Sequence, residues 1–275
     1  MDLCGHFEYG GISSRKYGLI LVNALTERTH LMSGTINAQT VFNKTNKRKY
    51  IIGSDFSESP SSFDIEIISE TDKPLEMRER REIEKWLFYT PKYQKLYLDI
   101  ADDYLGETYE LVNGEPKRLY LNCRFINPER LEYNGGIVGY KATVECDSGF
   151  WTQDAIVQPF IINNPSESDN TTIQVIVDTD LKDYVYPKVT IQIGDKGGDI
   201  TIINNTDDSA RLTKFIGLSP AVSLVMKGET NYISGQNYHK FAFQNFIRLL
   251  DGANTITLFG NIDSIEFEYE NKRFL

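Results

Sequence analysis

Residues Tyr140 to Trp151 constrain this chain more than any other stretch. Tyr140, Ala142, Val144 and Cys146 recur at a spacing of two, with Lys141, Thr143 and Glu145 between them. Successive side chains of a strand point to opposite faces, so this pattern sets an apolar face against a core and a polar face toward solvent. Asp147, Ser148 and Gly149 then break the alternation, and Phe150 and Trp151 follow at once. The stretch reads as the last strand of one domain handing over to a second. One more core strand with a buried Trp151 fits it equally well.

Length decides between those readings. At 275 residues the chain exceeds the usual size of one domain. Two domains are expected, 1–150 and 151–275. Tyr and Phe are plentiful and favour strands. No apolar run approaches the roughly 20 residues that span a bilayer. Met1 to His6 lacks the charged-then-apolar pattern of a leader, so folding in a cytoplasm is expected. The net charge of −10 argues against gripping a nucleic-acid backbone and against anionic membrane surfaces.

Strand patterns recur along the chain. Phe7 to Gly11 runs into a glycine turn, and Tyr17 to Val22 is a short apolar run. Lys44 to Lys49 reads as a solvated loop. Phe63, Ile65 and Ile67 alternate with Asp64 and Glu66. Leu96 to Ile100, Leu119 to Phe125 and Tyr140 to Cys146 are further strands, with Gly106 to Glu115 as a loop or hairpin. Asn134 and Gly135 give a strong hairpin-turn signal between the last two.

One segment departs from this rhythm. A helix is expected over 74–89, with Pro74 at its first position and Thr71 and Asp72 upstream for capping. Ile83, Trp86 and Leu87 form one apolar stripe, which makes Trp86 a core anchor, and Pro91 ends the helix. Past Trp151, the polar run Asn163 to Asn170 reads as an exposed loop. Short strands follow at Ile173–Val177, Val189–Ile193, Asp199–Ile203, Val222–Met226, Thr255–Phe259 and Ile265–Tyr269. Their even spacing points to a β-sandwich or jelly roll.

Chemistry is sparse. His6, His30 and His239 show no metal-ligand spacing. Cys4, Cys123 and Cys146 form no CxxC. Cys123 and Cys146 sit in strand patterns, as small buried hydrophobes do. A disulfide between those two stays open, and a cytoplasmic setting argues against it. The acidic pairs Asp102 with Asp103, Asp178 with Asp180, and Asp207 with Asp208 lack the ligand spacing of a calcium loop. Glycosidase carboxylates need not be close in sequence, so that role stays open, but turn chemistry explains these acids more simply. Tyr184, Tyr186, Tyr232 and Tyr238, with Phe241, Phe243 and Phe246, offer either a sugar-stacking face or a sandwich core. The core reading is preferred, with the tyrosines at its rim.

Four stretches in order carry a resemblance: Phe7 to Ser14 with Tyr17 to Leu19; Tyr140 to Trp151; Gly198 to Thr206; and Leu249 to Ile256 with the closing strand and Lys272 to Phe274. Together they resemble the distal tail proteins of long-tailed bacteriophages, found mostly in phages of Gram-positive hosts. The resemblance implies a mainly β fold. Its first part would be a tail-tube-like β-sandwich with one α-helix and a protruding hairpin, and its second a galectin-like β-sandwich. It further implies a ring of six copies joining the tail tube to the tail-tip hub or tail-associated lysin, in some phages with receptor-binding proteins attached. Such a ring would sit in the virion at the tail tip, with DNA passing through its channel; Asp64 and Glu66 fit an acidic lining, and a plain solvent-facing strand face explains them nearly as well. The resemblance carries no catalytic, cofactor-binding or metal residue and no enzymatic activity. A carbohydrate-binding module acting through the second sandwich, and a glycoside hydrolase, are the competing functions.

Overall fold

The computed structural model describes residues 5–22, 36–43, 48–56, 62–71, 73–99, 109–112, 115–166, 169–181, 183–235, 237–243 and 245–273. The chain divides into two compact units between Gln153 and Asp154. It is mainly β, as expected, with a single α-helix among the described residues.

The strands of the first unit are β1 (His6–Tyr9), β2 (Ile12–Ser13), β3 (Leu19–Val22), β4 (Ile36–Asn43), β5 (Arg48–Phe56), β6 (Ser62–Ser69), β7 (Gln94–Asp99), β8 (Tyr109–Val112), β9 (Glu115–Tyr133), β10 (Gly136–Cys146) and β11 (Trp151–Gln153). Helix α1 is Met77–Leu87. The main sheet runs β2-β1-β7-β9-β10-β6-β3, with antiparallel neighbours throughout. It curls until Gly5 and Leu21 exchange backbone hydrogen bonds of 2.9 and 3.4 Å, which ties the β3 end back to the approach of β1. An edge strand satisfied in this way offers no open ladder for aggregation.

Alternation sets the core. Tyr140, Ala142, Val144 and Cys146 all face inward, and so do Ile65 and Ile67 of β6 and Leu119, Leu121, Cys123 and Phe125 of β9. The outward residues of β10 pair across the sheet, with Thr143 Oγ1 donating to Asp64 at 2.7 Å and Arg124 meeting Glu145 at 2.6 Å. Asn134 and Gly135 form the turn between β9 and β10 with φ of 49° and 79°. A tight hairpin turn needs positive φ at both central residues, which Asn and Gly tolerate best. The strand before the turn reaches Tyr133, well past the expected Phe125.

Helix α1 is shorter than the expected 74–89, and its cap differs. Leu75 N donates to Ile137 O at 2.8 Å, so the residues before the helix are held extended against β10. Pro74 therefore lies outside the helix. Glu76 is the cap, with its backbone N–H donating to Glu79 Oε2 at 3.2 Å; Thr71 bonds Ser69 instead, and Asp72 lies outside the described residues. The stripe of Ile83, Trp86 and Leu87 is buried as expected.

A second correction concerns residues 36–56. Strands β4 and β5 pair with each other over their full length. No residue pattern places strands here, although the resemblance implies a protruding hairpin in the first part of the chain. Arg48 and Lys49, expected in a loop, open β5, while 44–47 lie outside the described residues.

The second unit holds β12 (Ile156–Ile161), β13 (Asn170–Val177), β14 (Lys188–Ile193), β15 (Gly198–Asn204), β16 (Leu212–Leu218), β17 (Ser223–Lys227), β18 (Tyr232–Ile233), β19 (Gly252–Phe259) and β20 (Ile262–Tyr269). They form two antiparallel sheets, β12-β20-β14-β17-β18 and β13-β19-β15-β16. Each sheet buries one face, with Val189, Ile191, Ile265 and Phe267 in the first and Ile200, Ile202, Ile256 and Leu258 in the second. That is the pattern of two sheets sharing one core. The six expected strands are present, and β12, β16 and β18 are additional. The polar run from Asn163 lies between β12 and β13 and is tied to the second unit, since Ile162 and Asn163 both donate to Asp263 O.

Phe241 and Phe246 are core residues, as expected, with Phe241 stacked on Phe215 at 4.7 Å. Phe243 is not. It is 67% exposed, because its backbone turns at φ 55° and carries the ring out of the core.

Candidate functional site

The two acidic pairs within the described residues are engaged in holding the fold. Asp178 and Asp180 both reach the guanidinium of Arg273, at 2.8 and 3.6 Å. Asp207 takes two hydrogen bonds from Arg248, at 2.7 and 3.0 Å, a bidentate geometry that fixes both planes. Arg248 also lies 3.6 Å over the ring of Tyr184. The hydrogen bond to Asp207 holds that guanidinium even more firmly protonated than usual. Asp208 caps a turn by accepting from Ala210 N at 2.9 Å. These are the turn and pairing roles expected of such residues. Asp102 and Asp103 lie outside the described residues.

The histidines are similarly placed. His6 Nδ1 lies 3.2 Å from Leu19 O and 3.4 Å from Ser14 Oγ, a local brace between β1 and β3. His239 sits in the short helical turn Asn237–Lys240 on the surface. His30 lies outside the described residues. Among the described residues no three His, Cys, Asp or Glu side chains converge as metal ligands would.

The second unit carries a cleft of about 260 Å³ on the five-stranded sheet. Tyr186 walls it, and an ion pair between Lys188 and Glu268 lies at its base. Lys227, Glu229 and Glu270 stand round it. Gly228 makes room for the wall, because a Cβ there would lie 2.8 Å from the Tyr186 ring. The other tyrosines take separate stations: Tyr184 is covered by Arg248, while Tyr232 and Tyr238 are exposed.

Exposed apolar side chains are the stronger surface feature. Strand β12, at the edge of its sheet, turns Val157 and Ile161 outward, the latter 82% exposed. Pro159 sits between them on the same face and cannot donate to a further strand, which suits an edge position. In the first unit Met77 at the start of α1 and Tyr133 at the tip of the β9–β10 hairpin are exposed, as is Tyr89 after the helix. Large apolar residues at edges and hairpin tips are the usual material of protein–protein contacts. Sequence alone gave no sign of which apolar residues would be left outside.

This architecture, two β units in which the first carries one helix, matches solved components of phage tail apparatus. The crystal structure of the Dit protein of phage SPP1, described as a paradigm of the hub adsorption apparatus in phages infecting Gram-positive bacteria, aligns with a TM-score of 0.64 and 11% identity. The match covers 98% of this chain and 99% of that one. A chain of the phage P2 baseplate in its activated conformation with Ca aligns with a TM-score of 0.56 and 8% identity, covering 99% of each. At such identities the likeness is one of fold, and in fold the resemblance to distal tail proteins is borne out. Two family models match in order along the sequence: a phage tail protein N-terminal domain over residues 3–148 and a phage tail C-terminal domain over 160–269. The chain belongs to this phage tail protein family. None of the curated proteins matches it.

Proposed function

We propose that the chain is a distal tail protein, a structural component that closes into a ring at the tip of a phage tail. The ring, of six copies, joins the tail tube to the tail-tip hub or tail-associated lysin, and receptor-binding proteins attach to it in some phages. DNA leaves through its channel. The observation that carries this reading is the match of both units, in order and over nearly the full length, to SPP1 Dit. The role is non-enzymatic, and the pairing of Asp178, Asp180 and Asp207 with arginines supports that. Asp64 and Glu66 on the outward face of β6 suit a channel wall, since an acidic surface lets a polyanion slide where a basic one would hold each phosphate. A ring needs a heterologous interface with two different patches on each subunit. The exposed Met77 and Tyr133 are available for one of them.

Electron microscopy of the protein mixed with its tube or hub partner tests this reading. Rings with an axial channel are expected even if the isolated protein is a monomer or dimer. Persistent monomers in the mixture, or rings with a basic lumen, would overturn it.

The second unit, on this reading, is a galectin-like sandwich on the outside of the ring. Its cleft beside Tyr186 favours one alternative, attachment to host cell-wall carbohydrate. A glycan array probed with the whole chain separates the two, and absence of binding removes the alternative.

The two units are also proposed to be separate folding domains, drawn at 150/151 from the sequence and between Gln153 and Asp154 by compactness. Limited proteolysis should nick the Asn163–Asn170 loop or a neighbouring one and leave two folded fragments. A single fragment intact from before Cys123 to beyond Ile203 would contradict the division.

A further inference from the structure

Cys123 on β9 and Cys146 on β10 are direct cross-strand partners. Next to them, Asp147 N donates to Asn122 O at 3.0 Å, so the two cysteines occupy the rung that makes no backbone hydrogen bonds of its own. Side chains approach most closely on such rungs, with Cα atoms about 4.5 Å apart. That separation lies inside the window of roughly 4.4–6.8 Å that a disulfide spans. Both side chains point into the core of the first unit, and both thiols are free. Two small apolar residues would fill the same space; two thiols on this rung can in addition be joined without moving the backbone far.

We propose that Cys123 and Cys146 are an oxidisable pair, which a small oxidant such as hydrogen peroxide converts to a disulfide stapling β9 to β10. In the first step peroxide takes one thiol to a sulfenic acid and releases one water. The second thiol then displaces the hydroxyl, forming the S–S bond and releasing a second water. Two thiols and one peroxide thus give one disulfide and two waters. Burial disfavours the thiolate of both residues, pushing Cys146 up to about 12, and the reactive form is correspondingly scarce. Oxidation is therefore slow and depends on brief parting of the strands. It would build up after the protein leaves a reducing compartment rather than switch back and forth. The bond closes the whole segment around the Asn134–Gly135 turn and so restricts the unfolded chain. The inference does not rest on the ring reading.

The test uses the full chain carrying Cys4→Ser, so that these are its only thiols. Native protein is treated with hydrogen peroxide, quenched with catalase, unfolded in excess alkylating reagent and mapped by mass spectrometry. Expected are a slow rise of a peptide pair linked through Cys123 and Cys146, its loss on reduction, and an unfolding midpoint raised on the order of 5 °C. Cys146→Val, which keeps an apolar side chain in the core, should give neither the linked pair nor the shift. The proposal falls if native protein keeps both thiols under conditions that link the urea-unfolded chain. It falls too if the residues oxidise singly without linking, or if linkage lowers the midpoint.

Discussion

Trp86→Ala lowers the stability of the first unit by about 3–5 kcal/mol, the range for emptying a buried large aromatic site. The indole is 9% exposed and stacks on Phe7 at 5.7 Å with the rings within 3° of parallel. Tyr17 packs against it at 5.4 Å. Its Nε1 donates to Tyr9 O at 2.9 Å, so the alanine variant loses that buried hydrogen bond as well as leaving a cavity. The residue thus links α1 to β1, and losing it removes the main reason for the helix to dock. Urea unfolding followed by the fluorescence of Trp151, the other tryptophan, should show a clearly lower midpoint. Trp86→Phe, which keeps a ring but not the donor, should fall between. An unchanged midpoint would place Trp86 outside the core and reopen a binding role for it.

Gly139→Ala is the second large effect. A Cβ at this position would lie 2.2 Å from Ile67 O and 2.8 Å from Ile68 Cα. Both are backbone atoms of the paired strand β6, so no side-chain rotation relieves the clash. Strands β10 and β6 must separate locally, at a cost of about 3 kcal/mol, the upper end for overpacking. On its other side, the register of β10 against β9 shifts between Ile137 and Gly139. Gly135→Ala is the instructive comparison. Nothing lies within 4 Å of a Cβ there, and only its φ of 79° opposes a side chain. That variant should lose about 1 kcal/mol. Thermal melts of the two variants side by side would show the difference, and equal losses would contradict the close approach at Gly139.

These two residues also mark what could and could not be read in the sequence. Trp86 was legible, because Ile83 and Leu87 share its stripe and a stripe means a buried face. The inward set on β10 was legible for the same reason at a period of two. Gly139 was not. Its meaning depends on Ile67, a partner far away in sequence, and a single glycine in an apolar run does not say which backbone comes close. The helix start was misjudged for a related reason: Pro74 is a good first residue in isolation, but the hydrogen bond from Leu75 to Ile137 holds that segment extended.

The hairpin β4–β5 is not legible in the residue pattern because its pairing uses backbone groups that every residue carries. Such a two-stranded element need not show a buried face in its pattern. Pro159 hid β12, since a proline argues against a strand unless it lies at an edge, as this one does. The candidate site is the least legible part of the sequence. The acids Asp178 and Asp207 were visible, but their arginine partners are 95 and 41 residues away and only folding joins them. The exposed Ile161 and Met77 look like any other apolar residues until the fold leaves them outside.

The central claim, a structural protein of the tail tip, is tested most directly by locating the chain in intact particles. Gold-labelled antibody raised against it should mark the distal end of the tail, one cluster per particle, and stain neither capsid nor tail shaft. Label spread along the shaft, confined to the capsid, or absent from particles while the free protein is recognised would contradict the account.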